Sequence, residues 1–99
     1  MSYKCISVPQ ARSLMREKAC SLVDIRDPAS FASGNIEGSV HISNDNVQQY
    51  LSDMDKEKPL IVVCYHGNSS QGAAEFFASQ GCREVYSLDG GFVEWQQGD

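Results

Sequence analysis

Leu60-Ile61-Val62-Val63-Cys64-Tyr65-His66-Gly67-Asn68-Ser69-Ser70 is the stretch that decides how this chain folds. Four apolar residues, mostly β-branched, follow Pro59 and read as a strand buried on both faces. The small polar residues after Gly67 lead into a helix-forming stretch, so a cysteine stands at the carboxyl end of a central strand. That is where an open α/β sheet gathers its ligands. The first N–H groups of the following helix lack intrahelical partners and carry partial positive charge, so the loop favours an anion. A thiol held there ionises more readily than a free one, whose pKa is about 8.5, and the thiolate is the reactive form. Gly67 lets the backbone curl around a substrate, Asn68 tolerates a left-handed conformation, and Ser69 and Ser70 can cap the helix or donate hydroxyl hydrogen bonds. On residue type alone, Cys64 reads equally well as a packed small hydrophobe.

Working outward, the chain alternates strand-like and helical patterns without a repeat or a linker, which predicts an α/β domain with a largely parallel sheet. A first strand covers Lys4-Cys5-Ile6. Ser7 and Gln10 form a capping box, with Pro9 in the first turn, for a helix whose inner face carries Val8, Ala11, Leu14 and Met15. Arg12, Arg16 and Glu17 fall on the opposite, solvent face. Leu22-Val23-Asp24-Ile25 reads as the second strand. Asp27 then caps a short helix through Pro28 to Ser33 that Gly34 is expected to end in a left-handed conformation. Residues 36–42 form a loop leading into a short third strand. Val47, Tyr50, Leu51 and Met54 recur at helical spacing, with Ser43 or Asn44 as the start. The helix after the Cys64 loop runs from Ser69 or Ser70 to Gln80, with Ala73, Phe76 and Phe77 inward and Gly81 as its stop. Glu84-Val85-Tyr86-Ser87-Leu88 is the last strand. Asp89-Gly90-Gly91 is a turn and Phe92 to Trp95 a short terminal helix with its aromatics inward. The count is five strands and about five helices.

A length of 99 residues leaves room for one domain, residues 1–99, and one modest core, and 41% apolar residues is ordinary for a globular protein. A net charge of −5 and the absence of any Lys/Arg cluster argue against nucleic-acid binding. The first residues show no apolar signal core, and no run of about eighteen apolar residues could span a bilayer. A soluble, cytoplasmic protein without membrane contact is expected. Cys5, Cys20, Cys64 and Cys82 are widely spaced with no C-x-x-C pair, which favours free thiols. His41 and His66 make no zinc-ligand spacing with them, so neither a metal nor a cofactor is expected.

Asp24 and Arg26 lie two apart and so point to the same side of a strand. They read as an ion pair, or as backbone partners near the sheet's end, organising structure rather than performing catalysis. Gly90 and Gly91 read as a tight turn, since no G-x-G-x-x-G surrounds them.

The Cys64-to-Ser70 loop, together with Val23-Asp24-Ile25-Arg26-Asp27 upstream and Asp89-Gly90-Gly91-Phe92 before Trp95 downstream, resembles the rhodanese superfamily over nearly the whole chain. That resemblance implies a mostly parallel five-stranded sheet flanked by helices on both faces, and a catalytic Cys64 that accepts a sulfane sulfur as a persulfide. It also implies that the backbone of Tyr65, His66, Gly67, Asn68, Ser69 and Ser70 holds the substrate. The activity expected is a thiosulfate sulfurtransferase. The Cys64 thiolate attacks the outer sulfur of thiosulfate, sulfite leaves, and an acceptor such as cyanide, a thiol or a small redox protein takes the sulfur in ping-pong fashion. No proton is abstracted once the thiolate exists, so His66 is expected to contact substrate rather than act as a base.

Two rivals use the same cysteine. One is a persulfide carrier or regulatory binding module that a partner protein loads. The other is a phosphatase, but cysteine phosphatases commonly grip phosphate bidentately with an arginine where this chain has Ser70.

Overall fold

The computed structural model describes residues 2–98. Its strands are β1 (Lys4–Ile6), β2 (Ser21–Asp24), β3 (Val40–His41), β4 (Leu60–Val63) and β5 (Val85–Leu88). Its helices are α1 (Val8–Glu17), α2 (Pro28–Ser33), α3 (Val47–Asp53), α4 (Ser69–Ser79) and α5 (Gly91–Gln97). The strands form one sheet in the order β1-β5-β4-β2-β3, and every pairing is parallel.

All four residues of β4 are buried, as helices on both faces require. Leu60 and Val62 join one core with Val23, Leu51, Ala74 and Phe77. Ile61 and Val63 join the other with Ile6, Ala11, Leu22 and Leu88, against which Phe92 and Trp95 pack. The strand's period of two thus divides a single apolar run between two cores.

The strand order also places the site. After β2 the chain moves to the edge strand β3, whereas after β4 it moves the opposite way to β5. Parallel crossovers are right-handed, so connections running in opposite directions put their helices on opposite faces. Accordingly α3 and α4 cover the Val62 core and α1 the Val63 core, where α5, which follows the last strand, also packs. The carboxyl ends of neighbouring β2 and β4 therefore bound the crevice where the winding reverses. Arg26 follows the first of these strands and Cys64 the second.

Several expectations shift. β2 begins and ends one residue earlier than the apolar run suggests, because Ser21 pairs with Leu60 and the ladder stops at Asp24 opposite Val63. Glu84 stays outside β5, and α5 extends past Trp95 to Gln97. Gly34 is not left-handed: its φ is 175°, ordinary extended backbone; its N–H still closes the last turn on the Ser30 carbonyl, while its own carbonyl accepts from Arg26 Nη2 at 2.7 Å. α3 starts at Val47 with Asn46 before it, not at Ser43 or Asn44. The side chains of Ser43 and Asn46 are consumed in a preceding turn, where Ser43 N donates to Asn46 Oδ1 at 2.8 Å and Asp45 N to Ser43 Oγ at 3.2 Å. Arg12 is not on the solvent face, because its guanidinium stacks on Trp95 at 3.8 Å and donates to the Trp95 carbonyl. In α4 the inward residues are Ser70, Ala74, Phe77 and Ala78, while Phe76 is exposed and Ala73 only half-buried. The helix is rotated because Ser70, a polar residue that hydropathy places outside, is drawn to the interior by the site.

Candidate active site

β4 delivers Cys64 at its carboxyl end with only 3% of its surface exposed, so the sulfur forms the floor of the loop. Gly67 N donates to Cys64 Sγ at 3.1 Å and Ser70 N at 3.3 Å. The thiol itself donates to Ser70 Oγ at 3.3 Å. Burial alone would raise the thiol's pKa. The Ser70 hydroxyl and the amides of Ser70, Gly67 and His66 outweigh that cost and hold it below the ordinary thiol value. The convergent amides expected from the sequence are therefore present, supplied by the loop as well as by the first turn of α4.

The peptide planes point this way because they are held from behind. Phe92 N, in α5, donates to the Cys64 carbonyl at 2.8 Å, and Val93 N donates to the Tyr65 carbonyl at 3.1 Å. With the Tyr65 oxygen tied outward, the His66 N–H, on the other side of the same peptide plane, is turned toward the sulfur. Gly67 has φ +94°, and a Cβ there would press on Gly90 N and Leu88 O. Gly91, at φ +59°, lies so close to the Cys64 and Tyr65 carbonyls that any side chain would collide with both. Gln71 Nε2 closes the loop by donating to Gly67 O at 3.0 Å.

The remaining loop residues behave less uniformly. Tyr65 is exposed, and its phenol bonds to the Asp27 carboxylate and lies 2.8 Å from Ser30 Oγ, linking the loop to the start of α2. The side chains of His66, Asn68 and Ser69 face solvent. Asn68 is right-handed, not left-handed, because Gly67 already makes the turn, and its side chain does not cap α4. Neither Ser69 nor Ser70 caps that helix; Ser70 uses its hydroxyl on the sulfur instead.

Asp24 and Arg26 form the expected pair, fully desolvated. Arg26 Nη2 lies 2.7 Å from Asp24 Oδ2, Nε is 3.0 Å from both carboxylate oxygens, and the Arg26 amide also donates to Asp24. The guanidinium face lies over Phe92 at 4.3 Å and Tyr65 at 5.8 Å. His41 Nε2 is 2.6 Å from the Arg26 carbonyl. A cleft of about 370 Å³ opens between Tyr65, Phe92, Arg26 and Ser30 beside the loop. Among the described residues no three His, Cys, Asp or Glu side chains converge as a metal site.

Sequence reasoning missed three participants. Ser87 is buried in β5 with its hydroxyl 2.7 Å from Ser70 Oγ. Its one legible signal is a polar residue inside an otherwise apolar buried strand. Gly91 and Phe92 read as a turn and a core aromatic, and nothing local reveals that they grip the loop.

Residues 7–98 match the family described as Rhodanese-like domain. The chain is 54% identical over 95 residues to proteins named "Thiosulfate sulfurtransferase GlpE" from two Pseudomonas aeruginosa strains, covering 96% of this chain and 86% of each relative. Among solved structures, a rhodanese-related protein from Thermoplasma volcanium superposes with a TM-score of 0.80 at 26% identity, covering 96% of this chain and 92% of that one. A rhodanese-like domain from Anabaena sp. gives a TM-score of 0.82 at 23% identity, covering 94% and 73%, a likeness of fold.

Proposed function

The chain belongs to the rhodanese-like family, and from that membership we propose that it is a thiosulfate sulfurtransferase working through a persulfide on Cys64. The observation that carries this reading is the convergence of the Gly67 and Ser70 amides and the Ser70 hydroxyl on a single sulfur. In the loading step a lone pair of the Cys64 thiolate attacks the sulfane sulfur of thiosulfate. The new S–S bond forms as the old one breaks, and its electron pair leaves with sulfite. In the discharge step a nucleophilic acceptor, cyanide or a thiol, takes the outer sulfur and returns the electron pair to Cys64.

A thiolate meeting a dianion is repelled, so the loop contributes fixed dipoles rather than a base. The backbone from Tyr65 to Ser70 receives the donor and then the persulfide, with Gly67 and Ser70 nearest the sulfur. His66 is a contact on the exposed rim. A bidentate phosphate grip has no place here, because Ser70 is fully buried between Cys64 and Ser87 and no guanidinium occupies its position. Among the described residues no helix is long and apolar enough to cross a membrane.

The test is thiocyanate formation from thiosulfate and cyanide. Wild type is expected to turn over with ping-pong kinetics, and Cys64→Ser to lose activity to background. Turnover surviving in Cys64→Ser would remove the cysteine from the mechanism. A persulfide on wild type that appears only with a partner desulfurase, and never with thiosulfate, would replace the enzyme by a carrier.

A further inference from the structure

Ser87 is polar where a buried strand has every reason to be apolar. It lies in β5 beside Val62 of β4 and Cys5 of β1, is fully buried, and faces α4. Its hydroxyl meets Ser70 Oγ at 2.7 Å, and Ser70 Oγ lies 3.3 Å from Cys64 Sγ. The three groups form a line running from the reactive sulfur into the interior, drawn from three different elements.

Each hydroxyl holds one proton, so the direction of this line is coupled to the charge on sulfur. With Cys64 as a thiol, the S–H donates to Ser70, and the Ser70 O–H is then turned to Ser87. With Cys64 as a thiolate, the Ser70 O–H must turn to the sulfur, and the Ser87 O–H turns to donate to Ser70. Without Ser87, the Ser70 oxygen in this buried place loses the donor that polarises its own bond to the anion.

We propose that Ser87 is a positioning residue for sulfur transfer, acting through Ser70 to stabilise the Cys64 thiolate as the leaving group of the discharge step. This rests on the persulfide reading above. In discharge the acceptor's electron pair forms the bond to the outer sulfur, the S–S bond breaks, and its pair becomes the Cys64 thiolate, with no proton transferred. A better stabilised thiolate departs faster, while its lower basicity makes it no better a nucleophile in loading. Ser87 therefore favours discharge over loading.

The experiment compares wild type, Ser87→Ala, Ser70→Ala and the double variant. Alkylation of Cys64 by iodoacetamide is followed by mass spectrometry across the pH range of thiol titration. The two half-reactions are read separately as kcat/KM for cyanide and for thiosulfate. In Ser87→Ala the alkylation midpoint is expected to move upward and the rate near neutrality to fall roughly two- to three-fold, the scale of one neighbour strengthening a charged hydrogen bond. The value for cyanide should fall by a similar factor, while that for thiosulfate, measured above the midpoint, does not fall. In the Ser70→Ala background, Ser87→Ala should change nothing further.

An unmoved midpoint, an equal fall for both substrates, or additive effects of the two substitutions would overturn the proposal. Should Ser87→Ala fail to fold, Ser87→Cys keeps the shape with a weak donor; it is expected to shift the midpoint in the same direction, and a wild-type midpoint there overturns the assignment. Alkylation needs neither donor nor acceptor, so the two ideas fail separately. A wild type that forms no thiocyanate defeats the transferase reading and the leaving-group role with it, whereas an unmoved midpoint with normal turnover defeats Ser87 alone.

Discussion

Arg26 uses both the edge and the face of its guanidinium. The edge holds Asp24 and the Gly34 carbonyl, and the face lies against Phe92 and Tyr65. One residue thereby ties the end of β2 to the end of α2, to the start of α5 and to the Cys64 loop. Asp24 is wholly excluded from solvent, so removing its partner leaves a buried carboxylate without compensation. Arg26→Met is expected to lower the unfolding free energy by about 3–5 kcal/mol, and Asp24→Leu/Arg26→Met to be less damaging than Arg26→Met alone. Urea denaturation measures both. A loss of only about 1 kcal/mol in Arg26→Met would put the pair in the class of surface contacts and contradict its structural role. The spacing of Asp24 and Arg26 revealed the pair itself. That Phe92 completes it was not legible, since the ring arrives from the far end of the chain.

The loop and α5 work as one unit. Phe92 N and Val93 N of α5 hold the Cys64 and Tyr65 carbonyls from outside, and the His66 N–H, in the Tyr65 peptide plane, is thereby aimed inward. Gly91 is the hinge of that contact, because both its φ of +59° and the adjacent carbonyls exclude a side chain. Gly91→Ala should displace the loop by a fraction of its own width and lower kcat/KM for thiosulfate by about a hundred-fold, the order expected for misplacement of reacting groups. Gly72→Ala, in α4 with open space around it, should leave activity unchanged and raise stability by up to about 1 kcal/mol. If the two variants behave alike, α5 does not hold the loop. At this scale the capping box at Ser7, the Asp27 cap and the β4 run were all readable, because each depends on neighbours within a few residues. The rotation of α4 was not, because hydropathy places Ser70 outside while a bond to a distant serine draws it in.

The whole molecule sets the field through which the donor arrives. Its net charge is −5, and its extents of 32 × 29 × 21 Å fall within about one Debye length at low salt, roughly 30 Å at 0.01 M, but well beyond the roughly 8 Å at 0.15 M. A dianionic donor is repelled by this field, so added salt should raise kcat/KM for thiosulfate by roughly two- to four-fold between those limits. A rate that falls with salt would reveal a local positive field strong enough to reverse the overall one. The reversal of winding between β2 and β4 leaves a crevice at the carboxyl ends of these strands, and the dipoles of α4 and of the Cys64 loop act there at short range. The sequence by itself determined the α/β class, the central strand, the position of the cysteine and the anion-favouring character of its loop, because apolar period, caps and helix termini are local properties. Only the tertiary structure decided which groups surround the sulfur. Ser70, Ser87, Gly91 and Phe92 come from three separate elements, and the hydrogen bonds that unite them exist only once the sheet has brought those elements to one end.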